Sequence, residues 1–181
     1  MNTDNLTRPD TRTSWHTVVP TALLGELTIV RDADAITGLY FPHHWNLRDR
    51  SGFGERRDDG FDEAIAQLHD YLAGERTEFD LPLRADGDAV RQRVWDLLGS
   101  VTYGTTTTYG ELASELAADR SITPQEVGKA VGRNPLSVFV ACHRVLGRGG
   151  KLVGYAGGLA RKRALLDLEQ ATSGRAPGLL W

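Results

Sequence analysis

The chain has little sulfur, no long apolar run and no residue spacing typical of a metal site. Its single cysteine, Cys142, excludes an internal disulfide and any zinc site built from several cysteines, and it is typical of a reducing compartment. The five histidines are not spaced as metal ligands, and the pair His43-His44 is expected at a loop or strand end because adjacent side chains diverge. We therefore expect no metal and no cofactor.

Signals for a membrane or for secretion are also missing. No apolar segment approaches the roughly 18 residues of a membrane span, and residues 1–5 have neither the basic nor the hydrophobic part of a secretion signal. We expect a cytoplasmic protein that does not bind membranes. Residues 1–14 are polar and residues 173–181 are rich in turn formers, so both are expected to be loosely held ends.

Charge is distributed unevenly along the chain. Residues 1–88 contain 9 Lys/Arg and 17 Asp/Glu, whereas residues 89–181 contain 12 and 7. Within residues 120–163, nine basic residues stand against one acid, Glu126. This cluster predicts a polyanionic partner, with an ordinary solvated basic face as the alternative. The reversal of charge also predicts a domain boundary near Gly87.

The first part of the chain has the pattern of a small sheet. Apolar residues alternate or cluster between turn signals at 16–19, 25–31 and 35–41, which predicts three antiparallel strands. Residues 46–60 are predicted to be a charged loop, the apolar spacing from Phe61 to Leu72 predicts a helix, and residues 76–86 are either a strand or an extended linker.

The second part has the pattern of capped helices. Asp88 is a predicted N-cap, and two capping boxes follow at 108–111 and 123–126. The helix that begins at the second box has proline at its first position and is predicted to end at Gly132. These two short helices form a helix-turn-helix candidate whose second helix presents Gln125, Lys129 and Arg133 outward. A last helix is predicted over about 159–171.

Cys142 lies at the end of an apolar stretch and immediately before His143. Residues 138–140 predict a short buried strand, with the chain turning at His143-Arg144. A thiol placed there is either inert packing or a shielded nucleophile, and a nucleophile needs a base and a group that orients the base. His143 and Glu169 are the candidates. Because neighbours on a strand diverge, His143 reaches the sulfur only if the chain turns there or a water bridges the gap.

Six short motifs between Ala89 and Glu169 stand in the order and spacing of a known family and resemble the O6-alkylguanine-DNA alkyltransferases. They are Val94-Trp95, the segment 103–109, Val127-Gly128, Arg133-Asn134-Pro135, Cys142-His143-Arg144-Val145 and the segment 154–159. Residues 1–88 resemble the family only in outline. The resemblance implies an α/β (α+β) fold, with a ribonuclease-H-like antiparallel sheet domain over 15–87. A winged-helix-like DNA-binding domain over 88–172 would contain the reactive cysteine.

The resemblance also implies direct-reversal DNA repair. Cys142 would accept the alkyl group from O6 of guanine, with O4 of thymine as a second candidate substrate, and the thioether that forms would end the activity of that molecule. His143 would be the base, linked to the thiol through a water and oriented by Glu169. Asn134 would stabilise the turn around the sulfur, and Tyr109 would donate to guanine N3. The plain alternatives are a core aromatic for Tyr109, an exposed charge for Glu169 and a turn residue for Asn134.

The pocket and the DNA surface follow from the same resemblance. The wall of the alkyl pocket would be formed by Tyr155, Ala156, Gly157 and Val153. The helix at 124–132 would lie in the minor groove of duplex DNA containing O6-alkylguanine, with the target nucleotide flipped out. The DNA-binding residues would be Thr108, Gln125, Gly128, Lys129 and Arg133. We expect a monomer in solution, with clustering on DNA left open.

Three positions depart from the family pattern. Gln125 stands where the family has an arginine that fills the vacated base stack, Ala141 replaces the proline before the cysteine, and Ala156 stands where many members have serine. These departures predict slower repair or a shifted range of alkyl groups. Three rival functions remain: a lesion-binding sensor of the alkyltransferase-like kind, a transcription factor and a Cys-His hydrolase.

Overall fold

The computed structural model describes residues 13–44, 49–117 and 122–174. Its first part is a four-stranded sheet with the order β3-β2-β1-β4. Strand β1 (Trp15–Thr21) pairs antiparallel with β2 (Gly25–Arg31), β2 pairs antiparallel with β3 (Ile36–Tyr40), and the short β4 (Glu55–Arg56) runs parallel to β1. The three predicted strands are confirmed. Strand β4 lies within the predicted charged loop. Its two residues are exposed and polar, so no apolar pattern in the sequence predicts this strand.

One face of this sheet is buried against helix α1 (Asp62–Leu72), which the apolar spacing predicted. Ile29 and Leu39 are paired across β2 and β3 and are fully buried, and Leu68 and Tyr71 of α1 belong to the same apolar cluster. Residues 76–86 are the extended linker of the two alternatives, with an isolated bridge between Leu83 and Ile36.

The second part is helical, as predicted. It contains α2 (Ala89–Gly99), α3 (Tyr109–Leu116), α4 (Pro124–Val131) and α5 (Leu159–Thr172). The side chain of Asp88 caps α2, and both predicted capping boxes are formed at the starts of α3 and α4. Helix α4 packs on α2 and α3. Strands β5 (Thr107–Thr108) and β6 (Val145–Leu146) form a small parallel pair.

The strand predicted at 138–140 is wrong. The chain turns there instead: Val138 has φ of 71°, the Phe139 amide donates to Ser137 O at 2.9 Å, and the Val140 amide donates to Leu136 O at 2.8 Å. Valine and phenylalanine favour a strand locally, but side-chain packing and the hydrogen bonds of a turn can outweigh this local preference. The bend therefore comes before Cys142 as well as after it.

Membrane-spanning helices and metal-binding clusters are both absent from the described residues. None of the helices within 13–44, 49–117 and 122–174 has the length and apolar character needed to cross a bilayer. The same ranges contain no cluster of His, Cys, Asp and Glu side chains suited to a metal ion. His43 is exposed whereas His44 is buried, so the two side chains diverge. The predicted loose ends fall almost entirely outside the described residues, as does Arg120 of the basic cluster.

Candidate active site

A tight turn positions Cys142. The Asn134 side chain closes the loop from both sides, because its Nδ2 donates to Val140 O at 2.9 Å and its Oδ1 accepts from the Leu136 amide at 2.9 Å. Ala141 has φ −74° and ψ 56°, and the Cys142 amide donates to Val140 O at 2.7 Å, which is an inverse γ-turn. Cys142 then begins a single 3₁₀ turn through Arg144. The chain therefore turns at the cysteine and does not continue as a strand.

The Cys142 side chain faces a small pocket between α3, α4 and the 154–156 segment. The lining residues are Tyr109, Gly128, Val131, Gly132, Asn134, Cys142, Gly154, Tyr155 and Ala156. Two of the predicted wall residues are not among them. Val153 is exposed, and Gly157 packs against the Phe41 ring, which lies 2.6 Å from the position that a Cβ of residue 157 would occupy. Gly157 therefore supports the pocket segment from behind.

His143 and Glu169 form a buried pair beside the thiol. His143 Nε2 lies 2.6 Å from Glu169 Oε1, and the two side chains are 0% and 1% exposed. The alternative in which Glu169 is an exposed charge on the last helix is excluded, because the residue is buried. On α5, the buried residues Lys162, Leu165, Leu166 and Glu169 follow the spacing of one helical stripe. This stripe was visible in the sequence and is the signal that indicates burial.

Further donors hold the Glu169 carboxylate. Arg144 Nε and Nη2 each lie 3.0 Å from one of its oxygens, and the Gly104 amide donates to Oε2 at 3.0 Å. Gly104 has φ of 69°, a conformation that favours glycine and that directs its amide to the carboxylate. Burial opposes ionisation, but hydrogen bonds from His143 and the charge of Arg144 lower the Glu169 pKa to about 2. Glu169 is therefore a carboxylate at neutral pH.

An ionised Glu169 determines the tautomer of His143. A carboxylate only accepts hydrogen bonds, so Nε2 carries the proton that it donates to Glu169, and Nδ1 presents a lone pair. Nδ1 is buried and has no hydrogen-bond partner within the described part of the chain. Burial lowers the His143 pKa, and Glu169 opposes this shift. His143 is thus a neutral imidazole with one nitrogen available to accept a proton.

Lys162 is a buried cation that we did not single out from the sequence. Its ammonium donates to the carbonyl oxygens of Val145 at 2.6 Å, Val153 at 2.7 Å and Gly154 at 3.1 Å, and the residue is 0% exposed. It connects the strand after the cysteine to the pocket segment. Burial lowers its pKa to about 8, with the Cys142 charge opposing. Burial raises the Cys142 pKa, while Asn134 and the charge of Lys162 lower it.

The predicted DNA-facing residues lie on or just after α4, apart from Thr108, which caps α3. Gln125, Lys129 and Arg133 are exposed on or just after α4, as predicted. Thr108 and Gln125 line an open cleft together with Tyr109, Gly128 and Arg148. Gly128 brings α4 close to Tyr109, since a Cβ at 128 would lie 3.7 Å from its ring. The cleft and the pocket thus share Tyr109 and Gly128.

Several side chains of the basic cluster are buried and are not part of the surface. Arg144 and Lys162 are buried and bound to internal acceptors, and Arg161 is half-buried, donating to Leu24 O and Gly157 O. The exposed members are Lys129, Arg133, Arg148 and Lys151. Apart from Arg163, which is half-buried, the described part of the cluster therefore divides into an internal set and an external set.

The chain was compared with known protein families and structures. The model of the 6-O-methylguanine DNA methyltransferase DNA-binding domain matches residues 89–171, and that of the ribonuclease-like domain matches 16–85. A relative from Mycobacterium tuberculosis, named methylated-DNA--protein-cysteine methyltransferase, is 40% identical over 169 residues, which are 92% of this chain and 93% of the relative. The chain belongs to this methyltransferase family. Its α/β fold, with a sheet domain followed by a helical domain, is the fold that the resemblance implied.

Two further members of the methyltransferase family support the match. A Bacillus subtilis relative, named as the constitutive methylated-DNA--protein-cysteine methyltransferase, is 35% identical over 161 residues, or 87% of this chain and 96% of the relative. The crystal structure of Mycobacterium tuberculosis OGT in complex with DNA superposes with a TM-score of 0.80 and 38% identity, covering 87% of this chain and 94% of that one. The sensor alternative is not favoured by relatives with these names.

Proposed function

We propose that this chain repairs alkylated DNA directly, by moving the alkyl group from O6 of guanine in duplex DNA to Cys142 in a single turnover. The observation that carries the proposal is the placement of the only cysteine in the lining of a pocket, next to a buried His143–Glu169 pair. Relatives named as methylated-DNA--protein-cysteine methyltransferases support it. The roles of individual residues below are part of the proposal.

The first step is activation of the thiol. Burial raises the Cys142 pKa, so the resting group is a thiol and needs a base. The Cys142 proton passes through one water to His143 Nδ1, and the imidazolium is stabilised by the Glu169 carboxylate at 2.6 Å from Nε2. Asn134 holds the turn around the sulfur, and Lys162 reduces the cost of the thiolate through its nearby positive charge.

The second step is displacement at the alkyl carbon. The thiolate forms a new S–C bond while the C–O6 bond breaks, and the electron pair of that bond remains on the guanine. Tyr109 lines the pocket, and burial, with the Cys142 charge, raises its pKa to about 12, so its hydroxyl remains protonated and can donate to guanine N3. The guanine anion then takes up one proton from solvent and the His143 imidazolium releases one to solvent, so the proton removed from Cys142 is accounted for. The thioether has no route back to a thiol, so the chain acts once.

The exposed side of the pocket is the proposed DNA surface. The O6 atom of guanine is stacked within the duplex, so the nucleotide must leave the stack to reach Cys142. Helix α4 would lie in the minor groove, with Lys129 and Arg133 near phosphates and Gln125 at the vacated position. Thr108 and Gly128 would border the groove beside the pocket mouth.

The two parts of the chain have different proposed roles. Residues 88–172 would bind DNA and carry out the transfer, and residues 15–87 would support them. We infer a cytoplasmic monomer, because the reaction needs a reduced thiol and a single site that is complete within one chain.

Intact-protein mass spectrometry tests the reaction. The protein is incubated with a duplex that contains one O6-methylguanine, and the Cys142 peptide is then mapped. We expect a stoichiometric gain of one methyl group on Cys142, with no gain from an undamaged duplex. Cys142→Ser is the matched control, because it keeps a small polar side chain in the pocket but lacks the thiol. Preferential binding of the damaged duplex without methyl transfer would instead establish the lesion sensor and reject the repair proposal.

A further inference from the structure

The buried pair beside Cys142 has a third member from the other domain. Tyr71 lies on α1, in the sheet part of the chain, and is fully buried. Its hydroxyl oxygen lies 3.2 Å from His143 Nε2 and hydrogen-bonds to Glu169 Oε1. These partners lie 72 and 98 residues further along the chain. The N-terminal domain thus reaches the two side chains that prepare the thiol.

The direction of these hydrogen bonds follows from Glu169. The carboxylate can only accept, so the Tyr71 hydroxyl proton goes to Oε1 and the lone pairs of the hydroxyl oxygen remain free. One of these lone pairs faces His143 Nε2 at 3.2 Å. The proton on Nε2 is therefore located between two acceptors, and both favour the tautomer that leaves Nδ1 unprotonated.

The ring of Tyr71 is held as firmly as its hydroxyl. It packs against the ring of Phe79, with centroids 4.9 Å apart, and meets the ring of Tyr103 edge-on at 5.7 Å. The hydroxyl also remains protonated, since burial and the charge of Glu169 raise the Tyr71 pKa well above its ordinary value. A fixed ring and a protonated hydroxyl together limit the positions that Glu169 and His143 can adopt.

We propose that Tyr71 is a positioning residue for alkyl transfer, contributed by the sheet domain, which holds His143 in its Nε2–H tautomer and Glu169 at hydrogen-bonding distance. The inference rests on the proposed function for its kinetic consequence, but the tautomer itself can be measured without DNA. Tyr71 does not touch the substrate or exchange a proton with it. An ordinary core tyrosine would contribute to stability alone and would have no separate effect on His143.

The chain offers a matched pair of substitutions. Tyr71→Phe removes the hydroxyl that contacts Glu169 and His143 and keeps the packed ring. Tyr103→Phe removes a hydroxyl from the same aromatic cluster, whose oxygen lies 2.7 Å from Thr172 Oγ1. Tyr103→Phe is therefore the control: it also removes one tyrosine hydroxyl from the cluster, but it leaves both hydrogen bonds of Tyr71 intact.

Three readouts separate positioning from stability. At saturating O6-methylguanine duplex, we expect the first-order rate of Cys142 methylation to fall on the order of tenfold in Tyr71→Phe, the size expected for one lost hydrogen bond to a charged group. The dissociation constant for the duplex should not change. In ¹⁵N-edited spectra of the unliganded protein, the Nε2–H proton of His143 should shift and exchange faster with water. Tyr103→Phe should match wild type in rate and spectrum.

Each outcome decides between the two roles. Equal rates and equal His143 spectra in Tyr71→Phe and wild type would overturn the proposal. So would a rate loss that Tyr103→Phe reproduces together with the same decrease in melting temperature, because that result would indicate stability alone. If wild type transfers no methyl group, the proposed function fails, and the His143 spectrum still tests whether Tyr71 holds the tautomer.

Discussion

The two sides of the Cys142 turn use the same kinds of charged residue in opposite ways. On the inner side, Arg144, Lys162 and Glu169 are buried, and their charged groups hydrogen-bond to fixed partners. On the outer side, Lys129 and Arg133 are exposed on or just after α4, the helix whose Gly128 and Val131 line the pocket. The comparison shows that the charged residues of this region differ in burial and in their partners. The inner charges hold the geometry of the site, and the outer charges are available to a polyanion.

The largest expected effect comes from removing the centre of the inner side. Glu169→Ala leaves Arg144 and His143 buried without their acceptor, so we expect a loss of about 3–5 kcal/mol in the free energy of unfolding. Urea denaturation measures this loss. Glu115→Ala is the control, because Glu115 is exposed on α3 and its removal should change stability by less than about 0.5 kcal/mol. Equal effects of the two substitutions would remove the distinction between the inner and outer sides.

Acid should weaken the inner side specifically. The Glu169 pKa is about 2 in the folded chain, below its ordinary value of 4.5, so its ionisation stabilises the fold above pH 4.5. That contribution is lost as the pH falls through the folded-state pKa, and a shift of this size corresponds to roughly 3 kcal/mol. Glu169→Gln cannot ionise. Its deficit relative to wild type should therefore shrink between pH 5 and pH 2 when unfolding is followed by circular dichroism, and a constant deficit would contradict the assigned pKa shift.

The outer side should affect binding without affecting the fold. Lys129→Ala and Arg133→Ala should each weaken binding to undamaged and damaged duplex alike, and each should reduce the slope of log K against log salt by about 0.9. Their melting temperatures should match wild type, since both side chains are exposed. Fluorescence anisotropy titrations at several salt concentrations provide the slopes. An unchanged slope in both variants would place the DNA surface elsewhere.

The smallest expected effect concerns the turn that joins the two sides. Ala141 has φ of −74°, which proline adopts readily. Within the described residues, the Ala141 amide donates no backbone hydrogen bond that a proline would remove. Ala141→Pro should therefore raise the free energy of unfolding by about 0.4–1 kcal/mol, mainly by restricting the unfolded chain. A thermal melt tests this. Destabilisation would mean that Val140 cannot tolerate a following proline, and a transfer rate equal to wild type would show that Ala141 does not limit repair.

Local signals in the sequence were enough for most of the framework. The capping boxes at Thr108 and Thr123 predicted the starts of α3 and α4, because each involves groups only three residues apart. Strands β1, β2 and β3 and helix α1 followed from apolar spacing in the same way, whereas the two-residue strands β4, β5 and β6 did not. The prediction at 138–140 was wrong because the Asn134 side chain, outside the apolar run, closes that segment into a turn.

The sequence by itself therefore determined the longer helices and strands, the order of the motifs and the identity of the thiol and its histidine neighbour. Only the tertiary structure decided that Glu169 is ionised beside His143 and Arg144, that Lys162 donates to three carbonyl oxygens, and that Tyr71 reaches His143 from the other domain. The physical reason is the range of the interactions. Caps and periodicity act between near neighbours, whereas the charge state and tautomer at the site depend on groups that packing brings together from distant parts of the chain.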